Sequence, residues 1–224
     1  DTNGNGQIDP GEPAVIVFQG PTAGMKFPVG LTFGKGAGNA FDNDLFFADD
    51  WDGVNALFRV SDNNGVSLTI GSFNSGFWTP VHPIFKADGS VLFVSDMKNF
   101  TAFGFTNDGL IYRVLPNGAR NVFRSGLWDA SNADVTSDGW LVVLNSNFLN
   151  GSGACCLGTG QILALKDLNN DGDAQDAGEM KVLVDQNPGF GRFPGVAFGP
   201  DGAAYVAVAA IASTMTQIHR LEDL

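Results

Sequence analysis

VHPIFKADGSVLFVSD, residues 81 to 96, reads as one β-hairpin. An apolar run leads into Asp88-Gly89, a pair suited to the positive φ of a tight turn, and a second apolar run leaves it and ends on an acid. The same order recurs. The other entries are PVGLTFG (28 to 34), SNADVTSDG (131 to 139) and PGVAFGPDG (194 to 202). Their second strands read LFFADD (45 to 50), WLVVLNSN (140 to 147) and AAYVAVA (203 to 209), beside VLFVSD (91 to 96). Each is followed by a third strand, namely NALFRV (55 to 60), GLIYRV (109 to 114), QILALKD (161 to 167) and QIHRLED (217 to 223). An outer strand follows three of them, as VSLTI (66 to 70), ARNVF (119 to 123) and MKVLV (180 to 184).

The fourth unit lacks its outer strand, and GEPAVIVFQG (11 to 20) matches GEMKVLVDQN (178 to 187) closely enough to supply it. Units of four short strands recurring every ~50 to 60 residues are the mark of a β-propeller, whose blades bury their faces on one another. The expectation is an all-β, single-domain chain (1–224): four four-stranded blades, closed where residues 14 to 18 pair with the strand near Gln217 to Leu221. Closure of this kind hides two strand edges. A sandwich, an eight-bladed ring of two chains, and a piece of a larger propeller are the alternatives.

Composition agrees with that class. The 224 residues are 44% hydrophobic, with Phe 19 and Trp 4, which is enough for a sizeable core, and Gly 30 suits many tight turns. A formal net charge of -12 repels phosphate backbones and anionic headgroups, so nucleic acid and membrane surfaces are poor partners. The apolar stretches, such as Ala203 to Ala212, fall short of the ~20 residues that span a bilayer, and no basic-apolar leader opens the sequence. A start on a metal-ligand residue and an end within a repeat suggest a processed chain or a module.

Local chemistry is concentrated in DTNGNGQIDPGE, where Asp1, Asn3, Asn5, Gln7, Asp9 and Glu12 alternate around Gly6. Oxygen ligands at loop positions 1, 3, 5, 7, 9 and 12 are those of an EF-hand-type calcium loop, with Gln7 giving its backbone carbonyl. DLNNDGDAQDAGE repeats the pattern with Asp167, Asn169, Asp171 and Asp173 around Gly172, while Asp176 and Glu179 fall one residue late. Both loops are similar to dockerin or thrombospondin-type calcium loops. Calcium is the expected cofactor, held where the third strand of a blade passes to the fourth. The weak affinity of extracellular calcium modules suits a secreted location.

DGSVLFVSD (88 to 96) and PGVAFGPDG (194 to 202) resemble NHL-repeat and gluconolactonase-like (regucalcin-like) propellers. Four repeats are fewer than the six blades those families usually carry. The resemblance implies a site at the channel mouth, where an entry asparagine, carboxylates and a metal meet, and Asn132 in SNADV resembles that asparagine. The first-strand entries are Gly30, His82, Asn132 and Gly195; the second strands end at Asp49, Asp96 and Asn145, and in the fourth unit at Val208 and Ala209. These make His82, Asn132, Asp49, Asp96 and Asn145 the candidate catalytic residues of a calcium-dependent lactonase or esterase. Against it stands the capping of turns that Asp commonly performs.

The only cysteines, Cys155 and Cys156, are adjacent and can form a vicinal disulfide, remain thiols or link to another chain. Asn99 and Asn150 stand in glycosylation sequons. His219 reads as a packed strand residue. Phe73, Phe77, Trp78, Trp128, Phe190 and Phe193 read as packing between blades, with an exposed subset able to grip a sugar or peptide. The sequence lacks GxSxG, HExxH and phosphate-loop motifs. The expected function is an extracellular calcium-binding module for recognition or assembly, with self-association or a carbohydrate or protein ligand as partner, and the lactonase as the alternative.

Overall fold

A computed structural model describes residues 26–34, 41, 44–50, 55–62, 68–96, 100–101, 104–105, 108–146, 160–187, 195–209 and 216–221. These form four antiparallel sheets, each with its strands in chain order from the inside outward. Blade 1 holds β1 (Pro28–Phe33), β2 (Leu45–Asp49), β3 (Ala56–Asp62) and β4 (Leu68–Ser75). Blade 2 holds β5 (Pro80–Phe85), β6 (Leu92–Asp96), β9 (Gly109–Val114) and β10 (Arg120–Leu127). A two-stranded hairpin, β7 (Phe100–Thr101) with β8 (Gly104–Phe105), interrupts it and was not legible in the repeat pattern. Blade 3 holds β11 (Ala130–Val135), β12 (Leu141–Ser146), β13 (Gly160–Leu165) and β14 (Met180–Asn187). Blade 4 has three described strands, β15 (Val196–Phe198), β16 (Ala204–Ala209) and β17 (Thr216–Leu221).

The Asp-Gly turns behave alike in three blades. Gly89, Gly139 and Gly202 adopt φ of 70°, 88° and 78°, where a side chain would be strained, and their amides donate to Lys86, Thr136 and Gly199. Register follows from that geometry. On β12, Val142 and Leu144 face blade 4 while Leu141 and Val143 face blade 2; on β13, Ile162 and Ala164 oppose Leu163 and Leu165 in the same way. Period-2 alternation therefore sorts the apolar residues of one strand into two different cores.

Three such cores join the blades. Phe46, Leu57, Phe85, Leu92 and Val94 lie between blades 1 and 2, with Phe41 set edge-on to Phe46 and Phe85. Phe93, Ile111, Phe123, Leu141, Val143 and Leu165 lie between blades 2 and 3. Val142, Leu144, Ile162, Val196 and Val206 lie between blades 3 and 4. The first strands stand side by side in the order β1, β5, β11, β15. Among the described strands no seam of this kind joins blade 4 to blade 1. The expected closing strand, residues 14 to 18, lies outside the described residues.

Leu144 is fully buried between blades 3 and 4, so Leu144→Ala should lower the free energy of unfolding by about 2 to 5 kcal/mol. Val182, half-exposed on β14, should tolerate alanine within about 0.5 kcal/mol. Chemical denaturation of the two variants checks the contrast.

Candidate functional site

The residues that end the second strands share one task. Asp49 accepts the amides of Lys26 (2.8 Å) and Phe27 (3.2 Å), Asp96 those of Trp78 (3.0 Å) and Thr79 (2.7 Å), and Asn145 that of Trp128 (2.8 Å). All three side chains are buried. Each one ties down the chain just before it enters a first strand, which is a capping role. Burial raises the Asp96 carboxyl above its ordinary value, opposed by its two amide donors and Arg120. Val208 and Ala209 end β16, and their side chains lie outside the described ones.

The entry positions act between blades. A Cβ on Gly30 would stand 2.3 Å from the Val81 carbonyl, so glycine lets β1 approach β5. His82 is hydrogen-bonded to the backbone of Ala133 on β11; burial lowers its imidazole pKa, opposed by the nearby Asp134 carboxylate. Asn132 and Asp134 accept the amides of Val196 (3.3 Å) and Phe198 (2.8 Å) on β15. First strands are sheet edges with unpaired amides on one side, and side chains from the preceding blade satisfy them. The pairing also corrects one equivalence: Gly30 is a bulge with φ of 54°, and Val29, opposite Ala48, holds the place of His82 and Asn132. Gly195 accepts the Ala207 amide through its own carbonyl.

Two carboxyls were missed in the sequence. Asp50 has its pKa raised to about 6, first by burial and then by the charges of Asp49 and Asp96. Asp129 precedes β11 and is almost fully buried, with no hydrogen-bond partner for either carboxylate oxygen; burial raises its pKa to about 8. The exchange is legible in the repeat: blade 3 replaces the strand-end carboxylate by Asn145 and carries its acid at the entry instead.

The loop between β13 and β14 holds the second calcium pattern. Asp167 accepts the Gly172 amide (2.9 Å), and the side chains of Asn169, Asp171 and Asp173 each accept the amide two residues on. Glu179 is 2% exposed and takes the amides of Leu168 (2.8 Å) and Asp176 (3.0 Å). The Asn169 amide donates to Asp171 (2.9 Å) and Asp176 (2.7 Å), and the other Asp167 oxygen is buried without a partner. Among the described residues no three Asp, Glu, His or Cys side chains stand together as metal ligands. The loop also straps two blades, since the Ala174 amide donates to Phe123 (2.8 Å) and Arg124 to Ala174 (2.6 Å). Its partner loop at Asp1, Asn3, Asn5, Gln7, Asp9 and Glu12 lies outside the described residues.

So do Cys155, Cys156, Asn99, Asn150, Phe190 and Phe193. Phe73 and Phe77 pack between blades 1 and 2 as expected, whereas Trp78 is half-exposed. His219 is a strand residue but exposed, with its ring 3.0 Å from Gln217. No helix among the described residues is long and apolar enough to cross a membrane.

No protein-family model and no curated protein matches the chain. Solved structures do. An auxiliary nutrient binding protein from Bacteroides thetaiotaomicron is 12% identical with a TM-score of 0.55, over 88% of this chain and 42% of its own. One from Bacteroides ovatus is 11% identical with a TM-score of 0.54, over 89% and 43%. The likeness is one of fold. This chain spans less than half the length of either protein. A protein assigned as a gluconolactonase is 17% identical over 81% of this chain and 73% of its own, at a TM-score of 0.37 that carries no argument.

Asp129 generates a pH prediction. A carboxyl whose pKa is raised on folding stabilises fully below its ordinary value of 3.8, and that stability is lost as pH climbs to about 8. The loss should be at most about 1.4 kcal/mol per pH unit, and Asp129→Asn should remove it. Denaturation at pH 5, 7 and 9 should show the two proteins diverging upward in pH; parallel curves would refute the assignment.

Proposed function

We propose that the chain is an extracellular, calcium-binding β-propeller module that acts in recognition or assembly. The observation that carries this reading is the 167–179 loop. Its oxygens stand in calcium-loop order, one Asp167 oxygen is buried without a partner, and an amide donor of Asn169 sits between two carboxylates where a cation would satisfy both. Asp167, Asn169, Asp171, Asp173 and either Asp176 or Glu179 would hold the ion there. Calcium supplies charge neutralisation and rigidity there. The N-terminal loop, Asp1 to Glu12, takes a second ion.

Function follows from the strap. An ion in this loop stiffens the seam between blades 2 and 3, because the loop is already bonded to Phe123 and Arg124. Residues 14 to 18 supply an outer strand beside the three described strands of blade 4. A net charge of -12 keeps such a module soluble outside the cell. A binding role needs only this scaffold and its exposed connections.

Calcium at ~1 mM should raise the melting temperature, because binding stabilises only the folded state, and chelator should reverse the rise. Asp167→Asn and Glu179→Gln should weaken binding measured by calorimetry. An unchanged melting temperature with and without calcium refutes the reading.

A second reading, a calcium-dependent lactonase at the channel mouth, is favoured only by Asp50, whose pKa of about 6 suits proton transfer near neutrality. Its other candidates, Asp49, Asp96 and Asn145, are engaged with backbone amides. Turnover of a lactone panel that is abolished in Asp50→Asn would establish it over the binding module.

A further inference from the structure

Arginine occupies one register position of the third strand in three blades. Arg59 stands opposite Phe46, Arg113 opposite Phe93 and Arg220 opposite Tyr205. Two of them have an acid in their own blade. Arg59 pairs with Asp44, just before β2, and Arg220 with Asp201 in the turn between β15 and β16. Blade 2 differs. Val91 stands where Asp44 does, since the carbonyls of Asp44 and Val91 take the amides of Gly34 and Lys86 that close the two hairpins. Asp88, the counterpart of Asp201, is engaged with Lys86 (3.1 Å) and Ser90 (2.6 Å). Among the described residues no carboxylate lies within ion-pair distance of Arg113.

This arginine lines a cavity of about 260 Å³ between blades 2 and 3, at the end of the seam where the hairpin turns lie. Phe93, Phe123, Leu141 and Leu165, all buried hydrophobics, give the cavity an apolar floor. A Cβ on Gly172 would stand 2.4 Å from Nη1 of Arg113, so glycine in the 167–179 loop makes room for the guanidinium. Lys86 and Lys166 stand at the same cavity, and so do Asp138 and Asp167. With Arg113, three cations against two acids leave one net positive charge. We propose that this cleft binds a small organic monocarboxylate, its acid group on the Arg113 fork and its apolar body on the floor. A planar guanidinium meets a carboxylate with two parallel hydrogen bonds. A doubly charged phosphate would meet two acids with only one positive charge in surplus. Size agrees. An apolar cavity of about 150 Å³ holds benzene, so this one holds an aromatic ring with a short acid chain. The site gives the recognition role proposed above a ligand class and rests on that role alone, because Arg113 and the apolar floor lie outside the calcium pattern.

Ligand-observed NMR in the presence of chelator should show 3-phenylpropionate binding with a Kd of about 1 mM or tighter. The uncharged 3-phenylpropionamide, of the same shape, should bind at least about tenfold more weakly, because the charge-assisted bonds to Arg113 are lost. Arg113→Gln should abolish that preference with the melting temperature kept, since the arginine has no ion pair to lose. Val91→Asp, which installs the acid that Asp44 supplies in blade 1, should pair Arg113 and abolish binding with the arginine itself unchanged. Inorganic phosphate in about tenfold excess should not displace the acid. No binding by the wild type, equal binding of acid and amide, or a preference for the acid that survives Arg113→Gln overturns the proposal. Displacement by phosphate overturns it too, since the site would then take any anion. A melting temperature that rises with calcium while the acid fails to bind would sink this inference and leave the calcium reading standing; acid binding without a calcium effect would do the reverse.

Discussion

Sheets that are apolar on both faces cannot stand alone, and every other feature of this chain follows from covering them. A half-buried strand alternates apolar and polar residues; Leu141 to Leu144 does not alternate at all. Water must be excluded on both sides, so blade 3 needs blade 2 on one face and blade 4 on the other. The order of the blades in space then follows their order in the chain, because each sheet is a simple meander. Aromatic residues fill the seam between blades 1 and 2, where Phe41, Phe46, Phe73 and Phe85 meet edge to face.

Facing sheets solve burial but leave the inner edges. First strands carry amides and carbonyls that no strand of their own sheet can pair, and the chain answers with side chains reaching forward from the preceding blade. His82, Asn132 and Asp134 do this work, while Asp49, Asp96 and Asn145 hold the approach to each first strand. Each of these polar residues therefore has a structural partner. Asp50 and Asp129 stand outside it, and their raised pKa values arise from burial with little hydrogen-bonded compensation.

At the periphery the seams are bonded differently. Arg120 of blade 2 donates to the Gly76 carbonyl and lies over the rings of Phe77 and Tyr112, joining the rim of blade 1. The 167–179 loop joins blade 3 to β10 in the same sense, and buries Ala174 in the core between blades 2 and 3. Acidic loop residues thus stand on a structural fastening. On the proposed reading, an ion there acts on the seam and not on a substrate.

The sequence by itself determined the class, the strands and the turns. Those are local: apolar runs, Asp-Gly pairs and a repeat of four strands write themselves into the residue order, and the described strands follow the segments read from it. The calcium-type spacing is equally local, so the pattern from Asp167 to Glu179 is read from the residue order alone. What each polar residue touches is not local. His82 and Asn132 look like a ligand set when strand entries are aligned, because alignment brings equivalent positions together without saying which neighbour lies beyond the edge. A one-residue bulge at Gly30 moved Val29 into their register, and no repeat pattern reveals where a bulge falls. The burial of Asp129 and the strap onto Phe123 were decided only by packing, since each depends on which neighbouring segment stands opposite.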